Sequence, residues 1–117
     1  MRIQRFAGDA RGRSRAVAYR DLVFAVATAP DSAAGIAGQT EQTLAHIDQT
    51  LAAAGTDKTR LLSATVYITD IANKAEMDAA WNAWIGPDDW PQRACVQVAL
   101  AGDTLVEITV VAARGDG

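Results

Sequence analysis

Residues 90–112 read WPQRACVQVALAGDTLVEITVVA, two apolar runs that each admit a charged side chain, Arg93 and Glu107. Successive side chains of a strand point to opposite faces. In the first run Ala94, Val96 and Val98 point one way, and Arg93, Cys95 and Gln97 the other. In the second, Val106, Ile108 and Val110 join the apolar set, and Glu107 and Thr109 the polar one. A slip of one residue would bury Glu107 among valines, so this pattern specifies its register strongly. If the runs form a hairpin around Ala101-Gly102-Asp103, an odd loop length keeps both polar sets on one face. Helices are then expected on the apolar face. The other face carries an arginine, a thiol, an amide, a carboxylate and a hydroxyl from adjacent strands.

Upstream, AVAY and LVFAVAT (Leu22 to Thr28) predict two short strands around the turn signal Tyr19-Arg20-Asp21. Ile36, Thr40, Leu44, Ile47 and Leu51 recur at spacings of three and four, which predicts an amphipathic helix ending at Gly55. LLSATVYIT alternates through Leu62, Ala64, Val66 and Ile68 and predicts a strand. Asn73-Lys74-Ala75-Glu76 resembles a capping box opening a second helix, with Met77, Trp81, Trp84 and Ile85 on one face and Gly86-Pro87 at its end. The paired tryptophans read as core anchors, whereas Trp90, in a loop beside Pro91, can roof a pocket. The order ββ, α, β, α, ββ predicts an α+β domain spanning 1–117, a mixed sheet with both helices packed on one face.

The chain's 117 residues suit one domain, and its apolar half is rich in alanine, which buries little area per residue. Assembly into an oligomer would add burial. A formal charge of -3 offers no electrostatic reason to expect nucleic acid or an anionic membrane as partner, and the six arginines among the first twenty residues read as a solvated surface. No run approaches the roughly 18 apolar residues of a membrane helix. Cys95 is the single cysteine, which excludes an internal disulfide and a multi-cysteine metal site, so a cytoplasmic address is expected. His46, beside Gln42 and Gln49, is expected on the outer helix face.

Pattern alone leaves two readings of the polar face. It can meet water, with Arg93 and Glu107 as a weak surface pair. Alternatively, because Cys95, Ala99 and Leu105 share it, it can form a subunit interface containing a pocket.

Pro91-Gln92-Arg93-Ala94-Cys95-Val96-Gln97-Val98, followed by Val106-Glu107-Ile108, resembles the late P-A-R-[SA]-C-V-x-V and V/I-E-I motifs of the reactive intermediate deaminase family (RidA, formerly YjgF-like). The likeness extends through QTLAHIDQTLAAAGTDKTRLLSATVYITDIANKAEMDAAWNAWI and is most similar to the YoaB-like branch. The resemblance implies a chorismate-mutase-like fold assembled as a homotrimer with clefts at the subunit boundaries. It also implies hydrolysis of reactive 2-imino or enamine acids (2-aminoacrylate, 2-iminopropanoate, 2-iminobutanoate) to 2-oxo acids and ammonia. By the same likeness Arg93 holds the substrate carboxylate, Glu107 positions or activates water, and Cys95 lines the pocket.

Those residue types suit the chemistry. A guanidinium offers a rigid donor fork to a carboxylate, and a carboxylate near an iminium can act as base or stabilise charge. The substrate carries its own electrophile, so neither metal nor cofactor is expected. Where active members carry a Ser-Gly-Gln-like turn, this chain has Val26-Ala27-Thr28, leaving Ala27 and Thr28 to bind through backbone. An aromatic near the first strand is replaced by Arg13, a second cation for the carboxylate or a block to the cleft, and the connection between the late motifs is one residue shorter. These departures keep open an alternative, a non-catalytic small-carboxylate-binding or regulatory module of the same fold. A purely structural subunit without a pocket is a third reading.

Overall fold

Six strands form one mixed sheet: β1 (Ile3–Ala7), β2 (Ser14–Tyr19), β3 (Leu22–Thr28), β4 (Leu61–Ile68), β5 (Gln92–Gln97) and β6 (Val106–Ala113). Two helices, α1 (Ile36–Ala53) and α2 (Lys74–Ile85), complete the fold. The computed structural model describes residues 2–115; Met1, Asp116 and Gly117, at the ends of the expected 1–117 domain, lie outside the described residues. The strand order is β1-β2-β3-β6-β4-β5, with β5 parallel to β4 and every other pairing antiparallel.

The helix-side core follows the expected alternation in β4 from Ala64 onward and in β6, but Leu62, expected with that set, is 49% exposed, because a bulge between Leu61 and Ser63 shifts the register and buries Leu61 instead. Ala16, Ala18, Val23, Ala25, Ala64, Val66, Ile68, Val106, Ile108 and Val110 are buried beneath Leu44, Ile47 and Leu51 of α1 and Met77, Trp81 and Ile85 of α2. α1 ends as expected: Gly55 takes φ +84°, a conformation that costs glycine little, its amide donates to Ala52 O, and the Thr56 amide donates to Leu51 O. The expected capping box does not form, since Asn73 makes no side-chain cap. Asp70 instead accepts from the Ala72 amide at 2.9 Å and caps a 3₁₀ turn leading into α2.

Three further features depart from the sequence reading. β1 adds a strand to the expected order; it is an edge strand with only Phe6 partly buried, so no apolar alternation announced it. β5 and β6 are not neighbours, because β4 lies between them. The connection after β5 instead wraps the end of β4, with Val98 N donating to Ile68 O and Thr69 N donating to Leu105 O. The third departure follows from the parallel register, which aligns Arg93 with Ala64 and Cys95 with Val66, both core positions. Arg93 and Cys95 therefore face the helices, while Ala94 and Val96 face outward. The assignment of faces in this strand is reversed from the expectation.

A β-bulge sets the site's edge. Phe6 pairs with Ala16 and Ala7 with Ser14, which leaves Arg15 as the extra residue. Bulges re-aim side chains. Here Arg15 reaches α1, donating to Ala7 O at 3.0 Å and to Thr50 Oγ1 at 2.8 Å. Pairing of β2 with β3 stops at Ala16–Ala25, so β3 residues Val26, Ala27 and Thr28 have β6 on one side and no strand partner on the other.

The helices cover one sheet face, and the molecule measures 42 × 36 × 19 Å. Among the described residues no second layer covers the other face. Phe24 is 46% exposed there, and Leu22 and Val96 are also exposed.

Candidate functional site

Two clefts divide the expected site residues between them. The first, of about 790 Å³, opens where β2 peels away from β3. Its lining includes Arg13 and Arg15 from the β1–β2 hairpin, Ala27 and Thr28 from β3, and Glu107 from β6. Thr28 and Glu107 are cross-strand partners, which fixes the carboxylate beside the free edge of β3. His46 and Gln49 of α1 also line this cleft. The expected outer placement of His46 is thus corrected: it is half-buried and lines the cleft together with residues of the bulged hairpin.

The second cleft, of about 280 Å³, lies between α2 and the start of β5 and contains Arg93. Trp90 and Pro91 line it with Trp81, Ile85 and Asp78. Trp90 is 69% exposed and donates its indole N–H to Gly86 O at 2.9 Å, so the loop before β5 holds it over the cleft as a roof. The Arg93 guanidinium sits 5.2 Å from the centroid of the buried Trp81 ring, a cation–π arrangement. One terminal nitrogen donates to Asp78 Oδ1 at 2.6 Å, and the other lies 3.8 Å from Met77 Sδ. With 19% of its side chain exposed, Arg93 is a paired, largely desolvated cation rather than a free surface charge.

Asp78 is shared. Lys74 Nζ reaches its Oδ2 at 2.7 Å while Arg93 holds Oδ1. Burial pushes this carboxyl up, but the bonds from Lys74 and Arg93 outweigh it and hold the group below its ordinary 3.8. Periodicity marks Met77 and Trp81 on this helix face but carries no signal for Asp78, whose partner Arg93 is expected from the sequence on the opposite side of the sheet.

Cys95 lines neither cleft. It is half-buried against the core, where burial pushes its thiol above the ordinary 9.0 and the Arg93 charge only partly opposes the rise. Such a thiol is a poor nucleophile. Among the described residues no group of three or more His, Cys, Asp or Glu side chains comes together as a metal site, and no helix is long and apolar enough to cross a membrane.

Arg93 and Glu107 are not neighbours. Val96 and Glu107 both flank Tyr67, on either side of β4. Strand spacing and rise then place the Arg93 and Glu107 backbones roughly 14 Å apart. Their side chains leave opposite faces, so the shared polar face expected from sequence does not exist within one chain. A Gln39 amide, fully buried and missed by the sequence reading, supports the first cleft from behind. Its Oε1 accepts from Leu105 N at 2.8 Å, and its Nε2 lies 3.0 Å from Asp103 O and within reach of Ser32 O and Ala34 O. A polar residue on a buried helix stripe, beside Ile36 and Thr40, was the available signal.

A six-stranded mixed sheet with two helices on one face places the chain in the α+β class. The chain belongs to the family described as Endoribonuclease L-PSP, whose family model matches residues 10–114. It is 41% identical over 76 residues to the RutC family protein YoaB of Escherichia coli, covering 64% of this chain and 67% of that one. It is 31% identical over 84 residues to the 2-iminobutanoate/2-iminopropanoate deaminase of Escherichia coli, covering 69% of this chain and 66% of the other. A crystal structure of a YjgF family member from Neisseria meningitidis superposes with a TM-score of 0.91 at 36% identity, covering 100% of this chain and 98% of that one. The resemblance stated from the late motif is therefore sound, including its YoaB-like character.

Proposed function

We propose that the protein is a hydrolytic deaminase of small 2-imino acids, working as a homotrimer in which neighbouring protomers complete each site. The observation that carries this reading is the division of the two key residues. Arg93 is a desolvated guanidinium in one cleft, and Glu107 is a carboxylate on the opposite sheet face in another. A single chain cannot bring both to one small substrate, whereas apposed copies can. The uncovered, partly apolar sheet face is the kind of surface that association buries.

In this scheme Arg93 receives the substrate carboxylate and fixes the imine carbon. Glu107 holds a water for attack on that carbon, accepts its proton and returns that proton to the nitrogen, and collapse of the resulting amino alcohol breaks the C–N bond, releasing ammonia and leaving a 2-oxo acid. The free edge of Val26-Ala27-Thr28 supplies backbone donors where a serine hydroxyl is missing. The named activity of the Escherichia coli relative supports the reaction class. The family description names an RNA-cleaving activity, which this chain's charge of -3 does not favour.

The test is ammonia release from 2-iminopropanoate generated in situ by an amino-acid oxidase. Wild-type protein accelerates it, and Arg93→Ala abolishes the acceleration. Wild-type protein with no effect on hydrolysis defeats the catalytic reading. The Val26-Ala27-Thr28 sequence favours a second one, a carboxylate-binding module without turnover. Binding of 2-oxobutanoate without hydrolysis supports that reading, and activity gained by Val26→Ser with Ala27→Gly identifies a decayed enzyme.

A further inference from the structure

Arg93 already holds a carboxylate. Its terminal nitrogen donates to Asp78 Oδ1 at 2.6 Å within the 280 Å³ cleft that Asp78 itself lines. A bidentate carboxylate ligand needs two parallel N–H donors from one guanidinium. Here one terminal nitrogen serves Asp78, the other faces Met77 Sδ, and the ring of Trp81 lies against the guanidinium. An incoming carboxylate therefore meets a guanidinium whose charge and one terminal nitrogen Asp78 already engages, and it competes with Asp78 for them.

Lys74 modulates this contest. Its ammonium takes Asp78 Oδ2 at 2.7 Å, one helical turn away, and it does not line the cleft. While Lys74 holds one oxygen, only the other is presented to Arg93. Without Lys74 the whole carboxylate charge would fall on the guanidinium.

Resting on the proposal that Arg93 anchors the substrate carboxylate, we infer that Asp78 is a built-in competitor for that anchor and that Lys74 weakens its grip. The ligand class this admits is a small monocarboxylate able to out-compete a partly solvated aspartate, and the pair sets the affinity threshold of the site. Asp78 makes no contact with the imine carbon in this scheme. It acts through Arg93.

Calorimetric titration of the intact protein with 2-oxobutanoate tests the inference. Asp78→Asn tightens binding about two- to fivefold, the scale of a partly exposed ion pair. Lys74→Met weakens it about two- to fivefold. The double variant binds like Asp78→Asn, because Lys74 has no role once the competitor is gone. Arg93→Ala loses binding, and circular dichroism confirms that each variant is folded. If Asp78→Asn does not fold, the sign of the Lys74→Met effect decides. Unchanged or weaker binding by Asp78→Asn, or unchanged or tighter binding by Lys74→Met, overturns the inference. With Arg93→Ala failing to bind in that same series, the anchor reading survives; with Arg93→Ala binding normally, both fall.

Discussion

Glu107 faces Thr28 across the β3–β6 ladder on the open side of the sheet, and Arg93, two strands from Glu107, turns under α2 on the other side. Backbone register dictates this separation, so side-chain rotation cannot repair it. If one small substrate needs both groups, they come from different copies of the chain, and the open sheet face becomes a contact surface.

That face makes the first prediction. Phe24 projects from it with 46% of its surface exposed and lies outside both clefts. Phe24→Glu places a charge in the contact, so sedimentation should shift from trimer to monomer, with far-UV circular dichroism unchanged and imine hydrolysis lost. A variant that remains trimeric and active removes this face from the assembly.

Gln39 provides a stability test. It is fully buried and satisfies the Leu105 amide just before Glu107. Gln39→Leu leaves that N–H and the carbonyls of Ser32, Ala34 and Asp103 without their partner. Urea unfolding should show a loss of about 1–3 kcal/mol. A change within experimental error would mean that the connection before β6 is held by other contacts.

The Asp78 carboxyl provides a pH test. Its folded-state pKa lies below the ordinary 3.8 because Lys74 and Arg93 outweigh burial. A depressed carboxylate stabilises the fold above its unfolded pKa, and that contribution is lost as pH falls through the folded value. The stability difference between wild type and Asp78→Asn should therefore be flat from pH 5 to pH 7 and shrink below about pH 4. A difference that grows on acidification contradicts the pairing.

For Cys95, half-burial and a raised pKa predict slow alkylation. Iodoacetamide at pH 8 should modify it more slowly than an unstructured cysteine peptide, and urea should restore the normal rate. Rapid modification of the folded protein would show an exposed, activated thiol instead.

The legible parts of the fold share a cause. α1 was readable because Ile36, Thr40, Leu44, Ile47 and Leu51 meet one continuous sheet, so burial imposes the helical period directly on the sequence. β3, β4 and β6 were readable because each has one buried face. β5 misled because it is an edge strand. Its outward Ala94 and Val96 are apolar, while its inward Arg93 is satisfied by Asp78 and Trp81, partners more than ten residues away in sequence. The insertion of β4 between β5 and β6 is likewise a long-range pairing, and adjacency in sequence favoured a hairpin. Arg13, Ala27, Thr28 and Glu107 did converge on one cleft, whereas Arg93 stands apart from them and Cys95 lies outside both.

The most direct measurement is complementation between two inactive variants. Arg93→Ala and Glu107→Gln are each prepared, confirmed inactive, then unfolded together in equal amounts and refolded. In a trimer whose sites take Arg93 from one protomer and Glu107 from the next, about a quarter of the sites regain both groups. The mixture should recover about that fraction of wild-type imine hydrolysis, while each variant refolded alone stays silent. A mixed trimer with no recovered activity would contradict a site shared between protomers.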